Sequence, residues 1–311
     1  MARLPGRPGD PRDDRPAAGL DQGEDEVSRR PRRQADLRDA RPHADVRQGL
    51  GVLEHDARHQ VTGRAGRTWR ARVGIVNPSR GDVLMYEYYR AAPPGVIVVP
   101  TALNLKRLTA EELERVLASY EAAVADLAYE ECDVIVLGGS PPVTFKGHGF
   151  ERDLLARAQR QTSAPVVALV RCEVEALEAV GARRIAIGAP YTEELTEKFA
   201  AYFRAAGFEV VATRSLGIER PVEMAQLPPD ASADVARALR REAPGADAIH
   251  LTCPRWPTLG KLADLERELG VPVTSSSQSV VYGTLRRLGI AEARPGFGSL
   301  LERLAGEPAR A

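Results

Sequence analysis

The strongest constraint in this sequence is an internal repeat. Ala71–Pro100 opens with an apolar run, turns at Asn77-Pro78, and passes through a helical stretch into a second apolar run. Ala182–Ala212 does the same, turning at Ala189-Pro190-Tyr191. Further along, "ECDVIVLGGSPP" (Glu131–Pro142) matches "GADAIHLTCPRWP" (Gly245–Pro257), and "APVVALVRCEVEALEAVG" (Ala164–Gly181) matches "VPVTSSSQSVVYGTLRRLG" (Val271–Gly289). Short, wholly apolar strands separated by helices imply a parallel sheet covered on both faces. The helices carry the matching stripes, as in Leu113, Val116, Leu117, Tyr120 and Val124. The fold class read from this pattern is α/β: two pseudo-symmetric Rossmann-like lobes, each a parallel sheet flanked by helices. Residues 71–180 with 280–304 are expected to form the first lobe, and 181–279 the second.

Parallel sheets bind ligands beyond the carboxyl ends of their strands. The active site is therefore expected in the interlobe cleft. There the first lobe presents Asn77, Pro78 and Ser79 with Gly139 and Ser140; the second presents Pro190, Tyr191 and Thr192 with Thr252 and Cys253.

Composition narrows the function classes. The 311 residues include 43 basic and 43 acidic side chains, so net charge gives no reason to expect nucleic acid or an anionic membrane as partner. Three cysteines do not form a disulfide framework, which points to a reducing cytoplasm. No apolar run approaches the roughly 20 residues that span a bilayer. Residues 1–70 are crowded with Arg, Pro, Asp and Gly and lack apolar periodicity, so they read as a disordered extension. Gly138-Gly139 is not a dinucleotide fingerprint, because prolines follow it. No His/Cys cluster has metal-ligand spacing, so neither cofactor nor metal is expected.

Several motifs, in order, resemble the aspartate/glutamate racemase superfamily, and within it the arylmalonate decarboxylase and maleate cis–trans isomerase branch. "GGSPPVTFKG" (Gly138–Gly147) is similar to the decarboxylase's first-lobe loop, where glycine replaces the racemases' first cysteine. "RSLGI" (Arg214–Ile218), "VEMA" (Val222–Ala225), "ERELGVPVTSSS" (Glu266–Ser277) and "ARPGFG" (Ala293–Gly298) are similar to the same enzyme. "CPRWPTL" (Cys253–Leu259) is closer to the isomerase's second-lobe loop. The resemblance covers most of Arg72–Leu304. It implies a substrate site built from Asn77, Pro78, Gly139, Ser140, Pro141, Tyr191, Thr192, Met224 and Pro254 around a catalytic Cys253. It also implies Ser140 and Tyr191 as hydroxyl donors, helped by backbone amides near Ser140 and Asn77. Met224, Val143 and Val222 are the implied walls for a departing carboxylate.

The chemistry of the residues limits the reaction. Two-base racemization needs facing thiols, and Gly139 or Ser140 stands where the first-lobe thiol would be; a serine hydroxyl is too weak an acid without a partner base. A lone neutral thiol can still protonate one face of a carbanion, as a cofactor-free decarboxylase requires, and an ordinary thiol pKa of about 8.5 permits this. Two prolines depart from the decarboxylase pattern: Pro254 where it has glycine, and Pro141 where it has a hydroxyl-bearing residue. Pro254 removes an amide donor. An isomerase would want a first-lobe cysteine, and an asparagine that "NPSRGD" (Asn77–Asp82) offers only before the proline. Arg80 is a candidate carboxylate ligand there or an ordinary surface arginine.

Among the remaining residues, Cys132 and Cys172 read as small buried hydrophobes. His250 reads as a core histidine, and one serine of "TSSSQS" (Thr274–Ser279) as a helix N-cap. The expected function is a cofactor-independent decarboxylase of an arylmalonate-like or other disubstituted malonic acid. The alternatives are a maleate cis–trans isomerase-like enzyme, or a non-catalytic binder of a small carboxylate. The partner is a small carboxylic acid in each case, and the oligomeric state stays open.

Overall fold

The strands of the repeat assemble into two separate sheets in the computed structural model, which describes residues 68–306. The first half runs β1 (Ala71–Asn77), α1 (Asp82–Ala91), β2 (Val96–Ala102), α2 (Ala110–Tyr129), β3 (Val134–Leu137), α3 (Ser140–Phe145), α4 (His148–Gln159), β4 (Val166–Ala168) and α5 (Leu169–Ala179). The second runs β5 (Arg184–Ala189), α6 (Glu193–Ala205), β6 (Glu209–Ser215), α7 (Pro221–Ala225), α8 (Pro229–Glu242), β7 (Ala248–Leu251), α9 (Leu262–Leu269), β8 (Val273–Ser275), α10 (Ser276–Arg287) and α11 (Ser299–Glu302). Residues 1–67, on which the reading of a disordered extension chiefly rests, lie outside the described residues. Arg70 donates its amide to the Gly95 carbonyl at 2.7 Å, so the chain already joins the sheet edge there.

The strand orders are β2-β1-β3-β4 and β6-β5-β7-β8. Every neighbouring pair is parallel. The repeat in sequence is thus a repeat in topology. In each sheet the chain leaves the first strand for one side and returns on the other. The switch points lie at the carboxyl ends of β1 with β3, and of β5 with β7, where such folds bind ligands.

Packing follows the apolar stripes. Leu113, Val116, Leu117, Tyr120 and Val124 of α2 are all buried, each large aliphatic contributing roughly 1.5–3 kcal/mol by leaving water. Tyr120 also donates its hydroxyl to the Gly138 carbonyl at 2.6 Å, pinning the turn that leaves β3. Helices α5 and α10 pack on each other, and α10 also packs on α1. Both α5 and α10 are buried almost all round, as helices between two layers must be.

Two further ties join the lobes through α1. The buried Glu87 accepts the amides of Thr258 and Leu259, both at 2.8 Å. Burial pushes its carboxyl pKa up. Asp82 pairs with Arg255 at 2.9 Å. Among the described residues, no helix is long and apolar enough to cross a membrane.

Candidate active site

The four switch-point loops converge on a cavity of about 40 Å³, room for only a few water-sized groups. Asn77, Pro78, Gly139 and Pro141 line it from the first lobe, and Tyr191, Met224, Cys253 and Pro254 from the second. Six lining residues carry no signal that singles them out in the sequence: Gly81, Leu105, Leu108, Pro142, Pro221 and Arg255. They come from loops and short helices brought to the cleft only by tertiary folding.

Cys253 follows β7 and is 3% exposed. Its φ of 110° lies in a region that side chains other than glycine rarely adopt, at a cost of order 1–3 kcal/mol. The next residue explains part of this geometry. Pro254 occupies the second position of a turn closed by the Trp256 amide on the Cys253 carbonyl at 3.1 Å, a place that suits proline's fixed φ. The turn brings the Arg255 amide to the thiol, and the Tyr191 hydroxyl reaches it from the loop after β5. The Met224 sulfur lies 3.8 Å from the Cys253 sulfur. Burial pushes the Cys253 pKa up to about 11, against the smaller lowering effects of Tyr191 and Arg255. The thiol is therefore held neutral. Burial likewise raises the pKa of Tyr191, so its hydroxyl also keeps its proton.

Beneath the cysteine lies a buried carboxylate that ties the lobes together. Glu173, on α5, accepts hydroxyls from Ser140 at 3.0 Å, Thr252 at 3.2 Å and, more closely, Ser276. Because Ser276 gives its proton to Glu173, its oxygen is free to accept the Cys253 amide, at 2.8 Å. Three hydroxyls are what a buried carboxylate needs to offset its desolvation. The strained cysteine is thus anchored, through one serine, to the helix between the sheets.

The cavity is short of ordinary donors. Pro78, Pro141, Pro142, Pro221 and Pro254 have no amide hydrogen. The Asn77 amide group is already engaged with the carbonyls of Ile75 at 3.3 Å and Thr101 at 3.4 Å. Besides Tyr191 and Cys253, the strong donor on the wall is Arg255, whose side chain is 10% exposed. Its Nε is buried without a partner.

Gly139 has φ +80°, and a Cβ there would meet Pro78 Cγ at 2.2 Å. A side chain there, a thiol included, would be strained and would have to displace the Pro78 ring.

Other singled-out residues lie elsewhere. Ser140 does not line the cavity; it is fully buried with its hydroxyl turned to Glu173. Thr192 caps α6 by accepting the Leu195 amide at 3.4 Å. Val143 is buried inside α3, while Val222 is 41% exposed outside the cavity. Arg80 is exposed at the cleft's outer end. His250 is fully buried, with Nδ1 2.9 Å from Thr274 Oγ1 and Nε2 3.5 Å from Glu173. Ser275 is the serine that caps α10. Cys132 and Cys172 are buried and free. "RSLGI" clamps the Tyr191 loop: the Gly217 amide bonds the Tyr191 carbonyl and the Ile218 amide that of Pro190, both at 2.9 Å. Among the described residues no group of three or more His, Cys, Asp or Glu is placed to hold a metal ion.

The chain is similar to known proteins. A family model described as arylmalonate decarboxylase matches residues 73–301. The arylmalonate decarboxylase of Bordetella bronchiseptica is 29% identical over 231 residues, covering 74% of this chain and 96% of its own. The maleate isomerase of Nocardia farcinica is 31% identical over 242 residues, covering 75% and 96%. A solved structure of Nocardia farcinica maleate cis–trans isomerase bound to Tris matches with a TM-score of 0.71 at 27% identity, over 76% of this chain and 100% of that one. The chain belongs to the arylmalonate decarboxylase family, in the branch of the aspartate/glutamate racemase superfamily that includes the maleate isomerases.

Proposed function

We propose that this chain is a cofactor-independent carboxy-lyase acting on a disubstituted malonic acid, with Cys253 as the single proton donor. The observation that carries this reading is the pairing of one neutral thiol with an opposing loop where glycine stands and a side chain would be strained. Cys253 is held protonated by burial, and Gly139 faces it across a cavity in which a Cβ would have to displace the Pro78 ring. One-sided protonation suits a reaction in which one bond to the reacting carbon is replaced by a bond to hydrogen.

In the proposed sequence, the retained carboxylate is held by Arg255 and the Tyr191 hydroxyl. The departing carboxylate lies against Leu105, Leu108, Pro221 and Met224, where loss of hydration favours the neutral product. The bond from the α-carbon to this carboxylate breaks, carbon dioxide leaves, and the electron pair passes into an enediolate. Preorganised donors stabilise that charge. The Cys253 S–H then protonates the α-carbon on the face it occupies, and the thiolate regains its proton from water. Glu173 and Ser276 act through the backbone, fixing where the sulfur points.

A second reading is an isomerase of maleate type, in which Cys253 performs acid–base work. It is favoured by the maleate isomerase among the relatives. A panel of malonates and maleate, assayed for carbon dioxide release and for fumarate, separates the two. Carbon dioxide from a malonate supports the lyase; fumarate from maleate without decarboxylation of any malonate rejects it.

A further inference from the structure

The cavity under Cys253 opens outward into a cleft of about 490 Å³ with a different character. Its walls carry Arg80, Lys106, Arg107, Arg220 and Arg255, and no carboxylate among the described residues. Ser79, Leu105, Pro221 and Arg255 line both spaces, so the two adjoin. Over the whole chain 43 basic residues balance 43 acidic ones. Five cations around one opening are therefore a local concentration of charge and not the spill-over of a basic protein.

The nearby acids neutralise only part of it. Asp82 pairs with Arg255 and Glu223 with Arg220, which leaves Arg80, Lys106 and Arg107. Glu112, beside Lys106, is already bonded to Arg115 at 2.9 Å and to the Lys106 amide at 3.1 Å. Arg80 and Arg107 are exposed and have no ion pair among the described residues.

The loop carrying Lys106 and Arg107 is fixed from both lobes. The Leu103 amide bonds the Asn77 carbonyl at 2.8 Å, Leu105 bonds Pro78 at 2.7 Å, and Leu108 bonds Glu219 at 3.2 Å. Asn104 adopts a φ of 58°, and the Arg115 guanidinium holds the carbonyls of Leu103 and Asn104 at 2.9 and 3.3 Å. Strained backbone kept in place by its surroundings is characteristic of ligand clamps. Here it keeps two cations over the entrance to the thiol.

We propose that this outer cleft is a second anion subsite, and that the acid processed at Cys253 carries a further anionic group, carboxylate or phosphate, held by Arg80 and Arg107. The inference rests on the reading of the inner cavity as a small-carboxylate site, and it deepens that reading by naming the substrate class: an acid with charge at both ends. Arginine forks suit either group through paired, charge-assisted hydrogen bonds.

The test uses three disubstituted malonates that share a chain length and differ at its end: 2-butyl-2-methylmalonate, 2-(3-carboxypropyl)-2-methylmalonate and 2-methyl-2-(3-phosphonopropyl)malonate. Binding is measured by calorimetry on the full-length Cys253→Ala chain, which leaves the ligand intact, with and without Arg80→Ala and Arg107→Ala. A charged tail is expected to bind about tenfold tighter than the butyl tail, losing that advantage when both arginines are removed. The charged tail that gains more identifies the group. Equal binding of charged and neutral tails, or an advantage that survives the double substitution, overturns the proposal. Inorganic phosphate tests the cleft without any malonate head. Saturable phosphate binding abolished by the double substitution upholds the subsite even if no malonate binds, in which case only the inner-cavity reading fails. Phosphate binding that ignores the double substitution, or none at all when no charged tail gains affinity, rejects the subsite.

Discussion

Ser276 accepts the backbone amide of Cys253 at 2.8 Å while giving its own proton to Glu173. This directional pair converts a buried carboxylate on α5 into a constraint on the Cys253 loop. Ser276→Ala removes the acceptor and leaves both the amide and the carboxylate short of a partner. The expected loss of stability is about 1–3 kcal/mol, read as a lowered denaturation midpoint. Turnover should fall more than ligand affinity, because the sulfur's position is lost and the cavity wall is kept. Glu173→Gln should act in the same direction, and Ser276→Thr, which keeps the hydroxyl, should restore part of the turnover. A Ser276→Ala chain with full turnover would remove the positioning role.

The backbone at Cys253 supplies an unusual stability order. At most buried positions a change to glycine costs more than a change to alanine. Here φ is 110°, so glycine relieves strain of order 1–3 kcal/mol that alanine retains. Cys253→Gly is expected to be at least as stable as Cys253→Ala in chemical denaturation. The reverse order would mean that the backbone is not strained in solution.

The raised thiol pKa gives a pH dependence with a definite sign. In the unfolded chain Cys253 loses its proton near its ordinary value of 9.0, and in the folded chain only near about 11, because burial disfavours the thiolate. Between those values the native state holds more protons, so stability falls as pH rises through the window and is unaffected below it. Cys132 and Cys172 are raised by burial to about 11 and about 12 and contribute with the same sign. The Cys253→Ala chain isolates the part due to Cys253. Activity should stay level across the range where a free thiol titrates, around pH 8.5, and decline only toward pH 11. An activity loss centred on the free-thiol value would contradict the buried, neutral donor.

Gly139 sets a barrier to two-base chemistry. A Cβ at this position meets Pro78 Cγ at 2.2 Å, and φ is +80°. Gly139→Cys is expected to destabilise the chain by at least about 1–3 kcal/mol from backbone strain alone, and to yield no racemase. Adding Pro78→Gly should recover part of the loss by clearing the contact. A stable Gly139→Cys chain that exchanges the α-proton of a chiral acid with solvent on both faces would refute this.

Much of the fold is legible in the residues themselves. The duplicated strand–turn–helix pattern implies two parallel sheets, because wholly apolar runs such as those ending at Leu137 and Leu251 suit strands buried on both faces. Position at a strand end distinguishes Cys253 from Cys132 and Cys172. The cleft's other essentials are hidden for physical reasons. Glu173 sits in "RCEVEALEAVG", where a charge on a helix reads as solvated; its burial follows from α5 lying between layers. The signal present is its phase: Arg171, Glu175 and Glu178 share one helix face at i, i+4, i+7, while Glu173 falls on the opposite, apolar face with Leu169, Ala176 and Leu177. Ser140 is legible as a cleft residue but not in its orientation, since its hydroxyl turns to a carboxylate 33 residues away. Arg255 looks like one more arginine until the turn at Pro254 brings it to the wall.

The most direct test is the fate of one proton. A prochiral disubstituted malonate is incubated in deuterium oxide with the native chain and with Cys253→Ala. The native chain should release one carbon dioxide and give a single enantiomer with one deuterium at the α-carbon. Cys253→Ala should lose turnover by roughly 10²–10⁴-fold, the usual worth of a positioned acid. Racemic product from the native chain, or stereospecific deuteration that survives loss of the thiol, would contradict the assignment of Cys253 as the one-sided proton donor.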